Sequence, residues 1–127
     1  MRFILDTHIF LFLINGSSSI SENTRTIINS RTSKKFISVV SIWKIVIKIN
    51  IGKLKLKHSI SDIYSILKDN DITILQIAEI HLKHYLQLSL IHRDPFDRLI
   101  ISQAITEDLT LITDDQFIKN YPNLKLI

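Results

Sequence analysis

Short apolar runs alternate along this chain with longer segments of helical pattern. That alternation restricts it to an α/β fold with helices layered on a mostly parallel central sheet. Arg2-Phe3-Ile4-Leu5 reads as a buried strand that stops at Asp6. His8 to Ile14 follows as a helix closed by Gly16, a residue suited to the left-handed position after a helix, and Ser17 to Ser19 makes a turn. Ile20 to Ser30 patterns as a second helix, Lys35 to Val40 as a strand, and Ser41 to Ile51 as an apolar helix ended by Gly52. Ser59 opens a helix to Lys68, Ile72 to Ile74 is a strand, and Ala78 to Leu88 is helical. Asp94-Pro95-Phe96-Asp97 is a strong helix start, with Asp94 as cap and Pro95 in the first turn, for a helix reaching about Asp108. A strand over Leu109 to Thr113, a short helix opened by Asp114 or Asp115, and a last strand over Leu124 to Leu126 complete the chain.

The length of 127 residues suits one domain with one core over residues 1–127. With 46% hydrophobic and 22% charged residues the chain is globular, not a disordered linker. The absence of cysteine excludes disulfides, thiolate metal sites and cysteine nucleophiles. The first apolar stretch carries Asp6 and His8 and no small-residue cleavage site, and no uncharged run is long enough to span a bilayer. The expectation is a cytoplasmic protein. A net charge of +4 is compatible with a polyanionic partner without diagnosing one.

Three aspartates fall where an α/β fold places its ligands, at the carboxyl ends of strands. Asp6 follows the first strand, Asp115 follows the strand Leu109 to Thr113, and Asp97 lies in the first turn of the preceding helix. Carboxylate oxygens suit hard cations such as Mg2+ and Mn2+, and such a site fits phosphodiester hydrolysis. Each also has a structural explanation. Asp6 and Asp94 can cap helices, Asp97 can complement a helix dipole, and Asp114-Asp115 fits an ordinary turn.

Four segments stand out: Phe3-Ile-Leu-Asp-Thr-His8, the helix Ser38-Val-Val-Ser-Ile-Trp-Lys-Ile-Val-Ile-Lys48, the stretch His92-Arg-Asp-Pro-Phe-Asp-Arg-Leu-Ile-Ile-Ser-Gln-Ala104, and Leu111-Ile-Thr-Asp-Asp115. Together they resemble PIN-domain ribonucleases of the VapC toxin type. They occur in the family's order and span essentially the whole chain. The resemblance implies a PIN-like α/β/α sandwich and a Mg2+- or Mn2+-dependent endoribonuclease acting on RNA. It also implies a VapB-type antitoxin as partner, and a homodimer or a toxin–antitoxin hetero-oligomer. By it, Asp6 and Asp97 are the principal metal ligands and Asp115 the third acid. Asp114 sits at a variable position, with Thr7 and His8 as neighbours of the site.

One position departs from that pattern. Where the family carries glutamate, this chain has Lys44, on one helix face with Ser41 and Lys48. An ammonium there can pair with Asp6, Asp97 or Asp115, but it cannot coordinate a metal. The expectation is weakened metal binding and impaired hydrolysis; the bland alternative is a lysine snorkelling to solvent. An inactive PIN domain that still binds an antitoxin or RNA is the competing function. A phosphoacceptor signalling domain would need an acidic pair after the first strand and a suitably placed lysine after a later one, and has neither.

Arg93, Arg98, Lys48, Lys53, Lys55 and Lys57 are candidate phosphate contacts, and Lys53 to Lys57 alternates lysine with leucine. Trp43 and the phenylalanines read as core residues. The five histidines lack metal-site spacing; His81 and His84, three residues apart on a helix, have no evident acidic or histidine partner and read as surface or partly buried.

Overall fold

The computed structural model describes residues Met1–Ile127. Four strands, β1 (Arg2–Leu5), β2 (Lys34–Ser38), β3 (Ile72–Leu75) and β4 (Thr110–Ile112), form a sheet in the order β3-β2-β1-β4, parallel at every pairing. Helices α1 (Thr7–Ile14), α2 (Glu22–Asn29), α3 (Val39–Asn50) and α4 (Ile60–Asp69) connect β1 to β2 and β2 to β3. Helices α5 (Glu79–Gln87) and α6 (Pro95–Thr106) return the chain from β3 to β4.

Alternation along β1 explains the two layers of helix. Phe3 and Leu5 point to one face, where they pack with Ile9 and Phe10 of α1, Ile28 of α2, Ile42 and Ile45 of α3, and Ile63 and Leu67 of α4. Ile4 points to the other face and meets Ile100, Ile101 and Ala104 of α6. A strand buried on both faces must be apolar at every position, as Phe3-Ile4-Leu5 is. The α/β/α sandwich expected from the sequence is the fold observed.

The strand order reverses at β1. Crossovers run from β1 outward to β2 and β3, and then the chain returns to place β4 on the opposite side of β1. A crevice opens at such a reversal, beyond the carboxyl ends of the two central strands. Asp6 follows β1 and Thr113 to Asp115 follow β4, so the acids converge there by topology.

Several boundaries differ from the sequence reading. β2 ends at Ser38, because the Ser38 hydroxyl accepts a hydrogen bond from the Val40 amide and starts α3 there. The last strand reduces to one bridge, Leu126 beside Leu111, held by hydrogen bonds from Leu111 N to Lys125 O and from Ile127 N to Leu111 O. The short last helix is a single 3-10 turn, Ile118–Asn120. Gly16 and Gly52 adopt the left-handed conformation after α1 and α3, as expected. Lys53 to Lys57 forms no strand, although Leu54 and Leu56 pack on the core while the three lysines face water.

Trp43 is not a core residue. It is 59% exposed and meets Phe96 edge-on at 5.2 Å, in a shallow apolar hollow between α3, α5 and α6. It precedes Lys44, whose side chain turns inward, and two consecutive residues of a helix cannot share one face. Phe117 is likewise exposed, whereas Phe3 and Phe10 are buried.

Candidate metal centre

Asp6 is buried at the end of β1. One carboxylate oxygen accepts from the His8 amide and caps α1, and the other accepts from the Thr113 hydroxyl just beyond β4. The Thr113 oxygen in turn accepts from the Asp115 amide at 3.0 Å. This threonine therefore ties the ends of β1 and β4 together and sets where Asp115 begins. Thr7, also buried, donates to the Ser41 hydroxyl at 2.8 Å and fixes α3 against α1. Apart from its amide, His8 faces solvent.

Asp97 projects from the first turn of α6 and is buried. Burial, with the nearby charges of Asp94 and Asp6, raises its carboxyl to about 6 against the pull of Lys44 and His92. Asp115 moves the other way. Burial opposes its charge, but a hydrogen bond from His92 and amides from Phe117 and Ile118 hold its carboxyl below the usual range. Asp114 is exposed and lies outside the cluster.

Lys44 is buried and does not snorkel to solvent. Its ammonium lies 2.6 Å from Asp94 Oδ2 and 3.7 Å from Asp97 Oδ1. Burial disfavours the ammonium, yet the Asp94 hydrogen bond and the charges of Asp97, Asp94 and Asp6 outweigh it and raise the lysine above its ordinary value. The sequence reading paired Lys44 with Asp6, Asp97 or Asp115. The shortest contact is instead with Asp94, whose other oxygen caps α6 through the Phe96 amide as expected.

His92 belongs to the site and was missed from the sequence. Its Nε2 lies 3.0 Å from Asp115 Oδ2 and 3.3 Å from Asp97 Oδ2. The ligand-capable atoms of these three residues lie within 4.8 Å of one another. The Asp94 amide donates to Nδ1 at 3.0 Å, which leaves the ring proton on Nε2, directed at Asp115 Oδ2. In this arrangement His92 donates to Asp115 with Asp97 alongside; ligation through Nε2 would require that proton to leave. A signal was present in the sequence, since His92 lies two residues before the helix cap Asp94, but chain spacing alone does not bring it to Asp115.

Two other assignments change. Arg98 cannot contact RNA phosphate: it is buried, and its guanidinium donates to the carbonyls of Leu88, Ser89 and His92. His81 is almost wholly buried and acquires a carboxylate partner, Glu107, at 3.0 Å. That partner is supplied by the end of α6, out of reach of any local pattern.

The raised Asp97 has a thermodynamic consequence in the metal-free protein. A carboxyl that titrates at about 6 when folded and 3.8 when unfolded makes folding less favourable once both forms are ionised, by up to about 3 kcal/mol. Stability is therefore expected to rise as pH falls from about 7 to about 4. It is lost again at lower pH, as the depressed Asp94 and Asp115 become protonated. Urea unfolding across this range should show the rise, and Asp97→Asn should flatten it. An unchanged slope in that variant would place the titration elsewhere.

Comparisons with known proteins bear on the family and the fold. The PIN domain family model matches residues 3–124. No curated protein sequence gives a significant match. Among solved structures, a chain of VapBC2 from Rickettsia felis bound to a DNA fragment from their promoter superposes with a TM-score of 0.76 at 24% identity, covering 100% of this chain and 98% of that one. A chain of VapBC-1 from nontypeable Haemophilus influenzae gives 0.71 at 20% identity, covering 100% and 97%. A chain of the DNA-bound VapBC from Salmonella typhimurium gives 0.69 at 17%, covering 100% and 97%. With an all-parallel sheet, acids gathered where its strand order reverses, and a family match over nearly the whole length, the chain belongs to the PIN domain family.

Proposed function

We propose that this protein is a VapC-type toxin, a metal-dependent endoribonuclease that hydrolyses RNA phosphodiester bonds and is impaired as it stands by Lys44. The observation that carries this reading is the cluster of Asp97, Asp115 and His92 at the sheet reversal, with Asp6 linked to Asp115 through Thr113 and a lysine ammonium seated against Asp97. The donor set fits Mg2+ or Mn2+, because it offers carboxylates and no thiolate, and Asp97 stands in need of a cation. Asp6, Asp97 and Asp115 would hold the ion. When bound, it supplies the charge that acidifies a water and offsets the phosphodiester's developing negative charge.

The residues of the chain do the rest. Thr113 fixes Asp6 relative to Asp115, and His92 donates to Asp115 beside Asp97. Lys44 supplies one positive charge in place of the glutamate that the resemblance implies. A point charge of one unit neither binds water for attack nor offers a lone pair. Incubating labelled RNA with the Lys44→Glu protein and Mg2+ or Mn2+ is expected to give internal cleavage. Intact RNA under those conditions would refute the nuclease assignment.

A second reading, an inactive PIN domain that binds a partner, is favoured by one observation. The 2.6 Å Lys44–Asp94 pair satisfies the site without a metal. The two readings diverge in metal binding. Millimolar Mn2+ should raise the melting temperature of the Lys44→Glu protein by several degrees and barely move that of the Lys44 chain. Equal and absent shifts in both would favour the binding module. In either case the partner is proposed to be a VapB-type antitoxin, with the active assembly a homodimer or toxin–antitoxin hetero-oligomer. The location is proposed to be the cytoplasm; no helix is long and apolar enough to cross a membrane.

A further inference from the structure

The acidic site has an open flank whose composition does not suit a metal. Phe117 is 63% exposed, on the turn that Asp115 holds through the Phe117 and Ile118 amides. Its ring stands edge-on to His92, with centroids 5.9 Å apart and planes at 69°. His92 in turn touches Asp97 and Asp115. Phe117, His92, Arg93 and Ile91 line a cavity of about 400 Å3. Arg93 is exposed and pairs with no carboxylate, while the cations deeper in the site are all paired.

These features are complementary to a nucleotide. A cluster of carboxylates repels phosphate, so a polyanion needs a free cation at the rim, and the planar guanidinium of Arg93 suits phosphate oxygens. An exposed aromatic ring offers a platform for a base, and the cavity has room for one. Stacking tolerates any base and requires it to be unpaired. We propose that Phe117 and Arg93 form a subsite for single-stranded RNA beside the acidic centre, Phe117 stacking on one base and Arg93 gripping an adjacent phosphate. The proposal rests on the nuclease reading for the identity of the polymer. Phe117 and Arg93 act here as positioning residues.

The test is binding of a short single-stranded RNA to the full chain in EDTA, so that affinity is read without cleavage. Phe117→Ala is expected to weaken binding about 10-fold, Phe117→Tyr to restore it, and Phe117→Leu to fail despite its bulk. An abasic residue moved along the oligonucleotide should reproduce the loss at one position, where Phe117→Ala then adds nothing. A purely structural support of His92 by the ring would show no such position. Arg93→Ala should lower the slope of log Kd against log salt by about 0.7. Unchanged affinity in Phe117→Ala, or equal rescue by leucine and tyrosine, would overturn the subsite. Cleavage by the Lys44→Glu form separates the two ideas. RNA that is cut but bound without regard to Phe117 removes only the subsite. RNA that is bound through Phe117 but never cut removes the nuclease reading and leaves the RNA subsite standing.

Discussion

Lys44→Glu is expected to raise divalent-dependent RNA cleavage at least about 100-fold, the upper range seen when the surroundings of a metal ligand are altered. The change alters charge by two units at the most sensitive point of the cluster. As it stands, the ammonium lies against Asp94 and Asp97 and keeps its proton more strongly than an ordinary lysine. A divalent ion approaching Asp97 meets that charge at close range. Two unit charges about 4 Å apart interact by about 4 kcal/mol near a protein surface, against about 1.4 kcal/mol for each factor of ten in binding. Glutamate removes this repulsion and adds a ligand. It also leaves the carboxylates without their internal cation, so the metal-free variant should unfold at lower temperature than the parent chain, and Mn2+ should reverse the loss. A variant as stable as its parent without metal would show that Lys44 never neutralised the acids.

Arg98→Ala is expected to destabilise the protein by about 3 kcal/mol, measured by urea unfolding. The guanidinium is buried without a carboxylate; carbonyls surround it instead. It donates to Ser89 O at 2.8 Å, to Leu88 O and His92 O at 3.3 Å, and stacks against Tyr85 with 4.9 Å to the ring centroid. Its removal strands several carbonyls of the segment between α5 and α6 and leaves a cavity. Lysine should not rescue it, since one ammonium cannot reproduce the planar fork. The same segment carries His92, so RNA binding at the acidic flank should weaken as well. A loss below about 1 kcal/mol would mean that water takes over these contacts.

Local patterns in the sequence carried the fold. Phe3-Ile4-Leu5 announces a strand buried on both faces, and Asp94-Pro95 announces the start of α6; both occur where expected. Asp6 and Asp115 follow their strands because parallel topology gathers strand ends, so the acids were legible once the alternation was recognised. What was not legible depended on three-dimensional partners. His92 has no metal-like spacing, and its role comes from a loop that Arg98 folds back toward Asp115. Arg98 looks like any cation of a basic patch until burial shows its partners to be carbonyls. The preference of Lys44 for Asp94 is a matter of a few ångströms, since both aspartates lie on the same turn at the start of α6. Trp43 was misplaced because a continuously apolar helix does not reveal which of its faces meets the sheet.

The most direct test of the account is Mn2+-dependent cleavage of RNA by four proteins compared side by side: the chain as it stands, Lys44→Glu, and Asp6→Ala in each background. The account predicts strong cleavage by Lys44→Glu alone, lost when Asp6 is also removed, and little or none by the other three. Asp6-dependent cleavage by the Lys44 chain at the rate of its glutamate variant would contradict it, because the ammonium beside Asp97 would then be no obstacle to the metal.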